Sequence, residues 1–402
     1  MALTKATYSM IDGAVVNIKD FGAVGDGIAD DSAAIQAAID SNTSFIQVYM
    51  PPGTYRLASP IIIDRQNLSL FGAAQQTTLF PDAGVTAIEV SKNNGTQRTQ
   101  LRDFRIFGNT NATGGIALGG DVVAFCQIQN VVILNFLSTG SFGIKLSKVQ
   151  EIDIDNCYIA DNYNNIHFPS TAGNYATSVH IHGQGGYVGR ATNVGILLDR
   201  EVASFRVSDI VVESNKSGFA CTGFSNQVTF NNVHFEHDPS IPSTQALYLS
   251  GNASRKGQFT VRECFFFGFT VNLRADHAFI MLENNTGLVE SGKIIPQTAV
   301  NLYFANNKAD DGVSINPIAQ YEALRAGATV SYWDKSDTGR VFQRSDQIYV
   351  GAGAAAIYSG PGTPETFVTA AVGSLYLQTN GGANTTLYVK ESGTGNTGWV
   401  AK

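Results

Sequence analysis

The segments FRVSDIVVE (205–213) and VTFNNVHFE (228–236) share one pattern of apolar and polar residues. In each, an alternating apolar strand leads to a single polar residue, and a second short apolar strand follows. Alternation with a period of two is typical of a β-strand with one buried face. The same strand–turn–strand unit occurs in LSLFG (68–72), FRIFGN (104–109), QIQNVVIL (127–134), IDIDNCYIA (152–160) and FTVRECFFF (259–267).

The polar turn residues of these units define the length of the repeat. Their successive separations are 26, 53, 23 and 31 residues, and SVHIHG (178–183) supplies the strand that is missing from the 53-residue step. Repeats of variable length on a constant strand pattern are typical of a solenoid. The sequence therefore predicts an all-β fold, a right-handed parallel β-helix. The aligned turn residues are Asn130, Asn156, Asp209, Asn232 and Glu263.

The alternation also predicts which side chains form the core. Inward positions of successive turns should stack into two apolar ladders, one on each side of the polar turn. Cys157 and Cys264 have the same place in the repeat, which indicates that both are buried packing residues. The first predicted ladder is Ile152/Ile154, Val179/Ile181, Phe205/Val207, Val228/Phe230 and Phe259/Val261, and the second is Ile159, Val212, Phe235 and Phe266.

A capping helix is predicted before the first repeats. The stretch from Ala29 to Ile39 carries Ile35, Ala38 and Ile39 on one helical face, and Asp30 to Ser32 can cap its N-terminus. A solenoid has an open end that exposes unpaired strand edges, so a helix at this place would cover the first turn.

Composition excludes several classes of protein. The 402 residues include 26 Lys+Arg and 33 Asp+Glu, which gives a net charge of −7, and only 15% of residues are charged. No basic cluster is present that would neutralise phosphates, so we expect no nucleic-acid binding. The sequence has no run of 18 apolar residues and no signal-type N-terminal segment, so we expect no membrane insertion. The four cysteines form no close ligand pair, and no resident metal or cofactor is predicted.

Two segments carry a family resemblance. VNIKDFGAVGDGIADDSAAIQAAID (16–40) and IQVYMPPGTYRLASPIII (46–63) resemble the opening of the pectate-lyase-like superfamily, which phage tailspikes and capsule depolymerases often carry. GSLYLQTNGGANTTLYVKESGTGNTGWVAK (373–402) looks like the short C-terminal module of many phage tail proteins. The resemblance implies a homotrimer in the virion tail, with a bacterial surface polysaccharide and other phage tail proteins as partners.

These patterns divide the chain into four predicted regions. They are an N-terminal cap with the first turns (1–65), the parallel β-helix (66–285), an irregular or β connecting region (286–372) and a small β-rich trimerisation module (373–402). Within the third region, we expect a short helix at 318–325 and a linker at 351–362.

Glu213 and Glu236 are the predicted catalytic residues. Each lies four residues after its aligned turn residue, so the two carboxylates should face outward on adjacent turns. A pair of carboxylates at this spacing is the arrangement that glycoside hydrolysis uses. His234 should face the same side as Glu236, and we expect it to orient Glu236 or to bind sugar hydroxyls. The opposing interpretation is that both glutamates are solvated surface residues.

A second outward column contains acids, imidazoles and a guanidinium. Asp153 and Asp155 should be followed on the next turns by His180 and His182, and then by Arg206. We predict that these residues bind substrate. They can also support β-elimination next to a uronate, or hold a divalent metal between His and Asp side chains. Cross-strand ion pairs on a solvated face would give the same pattern.

The predicted function is that of a phage tailspike that binds a bacterial capsule, exopolysaccharide or O-antigen and cleaves it, with glycoside hydrolysis favoured over lyase chemistry. The alternatives are a polysaccharide lyase that acts by β-elimination and a receptor-binding tailspike without enzymatic activity, because one fold supports many functions. Release of reducing ends and of unsaturated uronic acids distinguishes these three activities.

Overall fold

The computed structural model describes residues 15–41, 46–90, 96–171, 173, 175–288, 293–298, 300–305, 307, 333–335, 341–343, 347–349, 355–393 and 395–402. Within these ranges the chain forms a parallel β-solenoid of about ten turns, followed by a small separate β-unit. The second unit comprises Tyr303–Ala305 and Ser331–Lys402. The predicted all-β parallel β-helix is confirmed. The predicted helix at 318–325 lies outside the described residues.

Each turn of the solenoid contributes strands to three parallel sheets, here called sheets A, B and C. Sheet A consists of β1 (Val16–Asn17), β3 (Ile46–Tyr49), β6 (Leu68–Phe71), β9 (Thr96–Gln97), β10 (Gln100–Arg102), β13 (Val123–Gln129), β16 (Lys148–Asp155), β19 (Tyr175–His182), β22 (Val202–Ser208), β25 (Ser225–Asn231), β28 (Gly257–Arg262), β31 (Ala278–Glu283) and β33 (Asn301–Ala305). Sheet B consists of β2 (Asp26–Asp30), β4 (Gly53–Leu57), β7 (Thr77–Pro81), β11 (Arg105–Phe107), β14 (Val132–Leu134), β17 (Tyr158–Ala160), β20 (Gly186–Gly189), β23 (Ile210–Glu213), β26 (His234–Glu236) and β29 (Phe265–Phe267). Sheet C consists of β5 (Ile61–Ile63), β8 (Thr86–Val90), β12 (Gly114–Leu118), β15 (Phe142–Leu146), β18 (Asn164–Phe168), β21 (Val194–Leu198), β24 (Ser217–Cys221), β27 (Gln245–Ser250), β30 (Leu273–Asp276) and β32 (Ile294–Pro296).

Both predicted apolar ladders are confirmed. In sheet A the inward residues pair from turn to turn, for example Val179 with Phe205 and Phe205 with Val228. In sheet B the second ladder also includes Val188, which pairs with both Ile159 and Val212. These side chains are almost completely buried, so alternation in the sequence identifies the interior of the coil. Cys157 and Cys264 are buried free thiols, as predicted.

Sheet A leads into sheet B through a single residue in the left-handed backbone conformation. The aligned polar residues take this conformation, and Asn and Asp tolerate it better than most residues. In the turn that the alignment left open, Gly183 has a φ of 112°. A Cβ atom there would lie 2.5 Å from the backbone nitrogen of Asn156, so this position requires glycine. The aligned residues and their φ angles are Asn130 (52°), Asn156 (53°), Asp209 (57°), Asn232 (53°) and Glu263 (56°).

The interior also contains a hydrogen-bonded chain of asparagines, which the sequence reasoning missed. Asn162, Asn165 and Asn215 are completely buried. Asn162 Nδ2 donates to Asn165 Oδ1 (2.8 Å), and Asn165 Nδ2 donates to Asn215 Oδ1 (3.1 Å). Asn215 Oδ1 also accepts from the Ala191 backbone N–H, and its Nδ2 donates to the Val188 carbonyl, both at 2.9 Å. These amides satisfy backbone groups where the chain bends between sheets B and C.

The N-terminal helix α1 (Ser32–Asp40) is present as predicted and buries Ile35, Ala38 and Ile39 against the first strands. Its N-terminal backbone is satisfied by Asp30, whose carboxylate accepts from Ser32 N and Ser32 Oγ. The neighbouring Asp31 accepts instead from the backbone N–H groups of Val24 and Gly25, which fixes the preceding loop.

The C-terminal unit contains a two-stranded antiparallel sheet and a five-stranded sheet. The two-stranded sheet pairs β34 (Trp333–Lys335) with β35 (Val341–Gln343). Residues 356–360 form a strand of the five-stranded sheet, so the prediction of a linker over 351–362 is wrong for this part. The strand pairs with Leu375–Gln378, and a contact between segments so far apart in the chain cannot be seen from the local sequence. The hydrophobic core of the C-terminal unit contains Tyr358, Tyr376, Tyr388 and Trp399. The five strands are β36 (Gln347–Tyr349), β37 (Ala356–Gly360), β38 (Leu375–Gln378), β39 (Leu387–Lys390) and β40 (Trp399–Ala401).

Candidate functional site

The outer face of sheet A carries the predicted acid, imidazole and guanidinium column, called here the sheet A column. Asp153 on β16 pairs with His180 on β19, and His180 pairs with Arg206 on β22. Asp155 pairs with His182 in the same way, two residues further along both strands. Alternation along each strand places all five side chains on the outer face. The structure therefore brings together the five residues that the sequence predicted to lie side by side.

The two histidines of this column are in direct contact with each other and with the acids. Their rings are stacked, with centroids 4.0 Å apart and an interplanar angle of 20°. His182 Nε2 lies 2.7 Å from Asp153 Oδ1, and His182 Nδ1 lies 3.5 Å from Asp155 Oδ1. His180 Nε2 lies 3.0 Å from Ser208 Oγ. Burial, together with the adjacent His182, lowers the pKa of His180, so its imidazole is neutral at pH 7.

A groove of about 580 Å³ runs over later turns of the same face. It includes His180 and Arg206, and the positions that pair with them on the following turns are Thr229, Thr260 and Met281. The groove therefore offers a cation, hydroxyl groups and apolar surface over several turns. Its other lining residues include Ser178, Ser204 and Gln227, which have φ angles of 53°, 54° and 59° and interrupt the strand alternation.

Sheet B carries the predicted glutamate pair. Glu213 on β23 pairs directly with Glu236 on β26, so the two carboxylates lie one turn apart on one face. The Tyr187 side chain lies next to Glu213 on the neighbouring strand. Burial, with the nearby Glu213 carboxylate, raises the pKa of Tyr187, so the phenol keeps its proton and is available as a donor. His234 Nε2 lies 3.1 Å from Glu236 Oε2, a contact at ion-pair distance without hydrogen-bond alignment.

The surroundings of the glutamate pair are aromatic. Tyr158 and Tyr187 stack with centroids 4.6 Å apart, and Arg190 Nη1 donates to both hydroxyls at 3.0 and 3.2 Å. The Arg190 guanidinium is held by Asp161 through two hydrogen bonds of 2.7 and 2.6 Å. On the other side, Phe267 pairs with Glu236 and has 47% of its surface exposed. Exposed aromatic rings beside carboxylates provide a surface on which sugar rings can pack.

The predicted site residues therefore lie in two columns. Asp153, Asp155, His180, His182 and Arg206 lie on sheet A, whereas Glu213, Glu236 and His234 lie on sheet B. Of these residues, His180 and Arg206 line the groove, whereas neither glutamate does.

A comparison with protein families shows which family this chain belongs to. The family described as rhamnogalacturonase A/epimerase, pectate lyase-like, matches residues 15–264, which is more than half of the sequence and contains both columns. The chain belongs to this family. The family resemblance that the N-terminal motifs predicted is confirmed.

Curated relatives match a shorter region of this pectate lyase-like chain. Mannuronan C5-epimerase AlgE2 of Azotobacter vinelandii is 35% identical over 113 residues, which is 25% of this chain and 11% of the epimerase. Alginate lyase 7 of the same organism is 36% identical over 113 residues, which is 25% of this chain and 13% of the lyase. The chain spans about a tenth of the length of these relatives.

Solved structures show the same fold. The gp42 tailspike of Acinetobacter phage vb_AbaP_AS12 superimposes with a TM-score of 0.64 at 12% identity, covering 96% of this chain and 76% of that one. The gp49 tailspike of Pseudomonas phage LKA1 gives a TM-score of 0.53 at 12% identity, covering 73% of this chain and 76% of that one. Among the described residues of this pectate lyase-like chain, no helix has the length and apolarity to cross a membrane.

Three polar contacts of this pectate lyase-like surface were missed by sequence reasoning. They are the approach of Tyr187 to Glu213 (26 residues apart), the contacts of Arg190 with Tyr158 (32 apart) and Tyr187 (3 apart), and the contact of Ser208 with His180 (28 apart). The sequence signal that could have predicted the Tyr187 contact is the repeat, because Tyr187 occupies the outward position one turn before Val211.

Proposed function

We propose that this chain is a phage tail protein that binds a bacterial surface polysaccharide and cleaves it by glycoside hydrolysis at Glu213 and Glu236. The observation that carries the proposal is the direct pairing of the two glutamates on adjacent turns of sheet B. The shared fold with two phage tailspikes supports the location in a virion tail, where the chain would act as a homotrimer and attach through other tail proteins. The names of the epimerase and lyase relatives support a polysaccharide substrate.

The spacing of the pair favours a double-displacement reaction. Neighbouring strands lie about 4.8 Å apart, and retaining glycosidases hold their two carboxyl groups about 5–5.5 Å apart. Glu213, oriented by the Tyr187 hydroxyl, attacks the anomeric carbon and forms a glycosyl ester. Glu236 gives its proton to the leaving glycosidic oxygen. It then takes a proton from the water that hydrolyses the ester, which releases the sugar and restores both carboxyl groups.

The neighbours of Glu236 have binding roles in this proposal. His234 lies within 3.1 Å of the carboxylate and is half-exposed, so it can hold Glu236 in place and reach a sugar hydroxyl. Phe267, on the next turn, offers its exposed ring face to a sugar. The sheet A groove binds a further part of the polysaccharide through Arg206, whose guanidinium suits an acidic sugar, and through the hydroxyls of Thr229 and Thr260.

One observation favours a second reaction, β-elimination at the sheet A column. The 2.7 Å contact between His182 Nε2 and Asp153 Oδ1 is the arrangement in which a carboxylate orients an imidazole base. In that reaction His182 removes the proton next to a uronate carboxylate and Arg206 stabilises the enolate. The C=C bond then forms as the glycosidic oxygen leaves and takes a proton from water.

The test uses capsule and O-antigen preparations from candidate host bacteria, incubated with the purified chain. Reducing ends and the ultraviolet absorbance of unsaturated uronic acids are followed together. Hydrolysis produces reducing ends without absorbance, whereas β-elimination produces both. If neither signal rises on a polysaccharide that binds, the chain is a receptor-binding tailspike and the catalytic proposal is wrong.

The variants Glu213→Gln and Glu236→Gln test whether these two glutamates are the catalytic residues. Each should lower the rate of reducing-end release by roughly 10²–10⁴-fold, the usual contribution of a positioned acid or base. Glu201→Gln is the matched control, because the Glu201 side chain is 59% exposed and its ion-pair contact with Arg255 is distant, at 3.7 Å. Far-ultraviolet circular dichroism verifies folding. Near-normal turnover in either glutamate variant would remove that residue from the mechanism.

A further inference from the structure

We propose that Asp153, His180 and His182 form a binding site for a divalent transition metal such as Zn²⁺ on the outer face of sheet A. This departs from the sequence-based expectation that no metal is bound. The inference does not depend on the proposed hydrolysis, because it uses neither Glu213 nor Glu236.

The backbone brings three ligand side chains to one point. His180 and His182 are two residues apart on β19, so both imidazoles project from the same face of the strand. Asp153 lies on the neighbouring strand, directly paired with His180. One ligand atom from each of the three side chains lies within 4.8 Å of the other two. Zinc binds His nitrogen and carboxylate oxygen at about 2.0–2.2 Å, so modest rotations of these half-buried side chains would place an ion between them.

The surroundings supply the outer contacts that metal ligands use. A metal-bound imidazole or carboxylate commonly has a hydrogen-bond partner on its other polar atom, which fixes its orientation. Ser208 Oγ lies 3.0 Å from His180 Nε2, and Asp155 Oδ1 lies 3.5 Å from His182 Nδ1. Gln127 Nε2 donates to Asp153 Oδ2 at 3.3 Å. The ligand atoms are then His180 Nδ1, His182 Nε2 and Asp153 Oδ1, and the ion replaces the 2.7 Å contact between the last two.

The donor set selects the kind of ion. Two imidazole nitrogens and one carboxylate oxygen suit Zn²⁺, Ni²⁺, Co²⁺ or Cu²⁺, whereas Ca²⁺ prefers six to eight oxygen ligands. Three protein ligands leave a coordination position open. Because His180 also lines the groove, this position is available to an oxygen of a bound polysaccharide. Metal binding uses the imidazole lone pairs, so an occupied site binds substrate and cannot perform the proton abstraction of the second reaction above.

The test measures Zn²⁺ binding by isothermal titration calorimetry, using metal-free protein without a polyhistidine tag. We expect one Zn²⁺ per chain, no heat from Ca²⁺, and a cobalt complex whose visible absorption has the intensity of a four- or five-coordinate site. His180→Ala, His182→Ala and Asp153→Asn should each weaken Zn²⁺ binding by at least tenfold. Asp155→Asn should weaken it by a smaller factor, because Asp155 contacts the metal ligand and not the ion.

His167→Ala is the matched control. His167 Nε2 lies 2.9 Å from Asp199 Oδ2, so it is also a histidine next to a carboxylate, but it lies on sheet C away from the proposed ligands. This variant and Glu213→Gln should bind Zn²⁺ like the wild-type chain, which separates this proposal from the proposed hydrolysis. Thermal unfolding without metal verifies that each variant is folded. The proposal is overturned if the wild-type chain takes up no stoichiometric Zn²⁺, or if His182→Ala binds it with unchanged affinity.

Discussion

Replacement of Asn215 by alanine provides a stringent test of the interior asparagine chain. Three hydrogen bonds depend on this buried amide: those from Ala191 N and Asn165 Nδ2 to its oxygen, and that from its nitrogen to Val188 O. Asn165 Nδ2 keeps a bond to the Gly189 carbonyl after the replacement, whereas the Ala191 N–H loses its side-chain partner. The most costly consequence is therefore one buried backbone donor without an acceptor.

The expected loss in the free energy of unfolding follows from these three hydrogen bonds. A buried donor left unsatisfied costs about 1–3 kcal/mol, and each of the other two lost hydrogen bonds contributes about 1 kcal/mol. We expect Asn215→Ala to lower the free energy of unfolding by about 3–5 kcal/mol. The loss should appear as a lower midpoint of guanidinium unfolding, followed by far-ultraviolet circular dichroism.

Asn226→Ala is the matched control on the outer face of sheet A. Its side-chain oxygen is buried without a hydrogen-bond partner among the described residues, so removal of the amide should not lower stability. The double variant Asn165→Ala/Asn215→Ala adds a second criterion. Because the two amides share a hydrogen bond, its destabilisation should differ from the sum of the single changes by about 0.5–3 kcal/mol. A loss below about 1 kcal/mol for Asn215→Ala would refute the interpretation of these contacts as structural.

Two further predictions concern the cysteines and the N-terminal cap. Burial raises the pKa of the Cys126, Cys157 and Cys264 thiols to about 12, so iodoacetamide at pH 8 should alkylate them only after unfolding; rapid mass increase of the folded chain would contradict this. The hydrogen bond from Ser32 Oγ, together with backbone donors, lowers the pKa of Asp30. The ionised Asp30 carboxylate therefore stabilises the fold above about pH 4, and this stabilisation is lost as the pH falls through the lowered pKa of the folded state. Asp30→Asn should therefore reduce stability at pH 7 and by less at pH 3, and an equal difference in melting temperature at both pH values would contradict this.

The solenoid could be predicted from the sequence because its information is local and repeated. Alternation within segments such as 205–213 and 228–236 gives the inward side of each strand, and the aligned turn residue gives the register between turns. The register from Glu213 to Glu236, and that from Asp153 to His180 and Arg206, follow directly from this alignment. Gly183 escaped the alignment of Asn and Asp residues because glycine reaches the left-handed conformation without a polar side chain.

The contacts within the candidate site could not be predicted in the same way. The contact of His182 with Asp153 is diagonal, and which of two neighbouring carboxylates it meets depends on side-chain rotation. The approach of Tyr187 to Glu213 is also diagonal between neighbouring strands. The interior amides were missed because an asparagine in a turn looks the same in sequence whether it points to solvent or to the core. The role of Asp31 in the loop before α1 depends on the path of that loop.

The pairing of sheet A positions stays constant although the chain between them does not. Asp153, His180, Arg206, Thr229 and Thr260 pair in succession across intervals of 27, 26, 23 and 31 residues. Insertions and deletions are thus confined to the turns, and the inward ladders preserve the coil whatever side chains the outer face carries. Recognition and folding are therefore encoded by separate sets of residues. A protein built in this way can evolve towards a new ligand by single replacements on its outer face, each with little penalty to the stability of the whole.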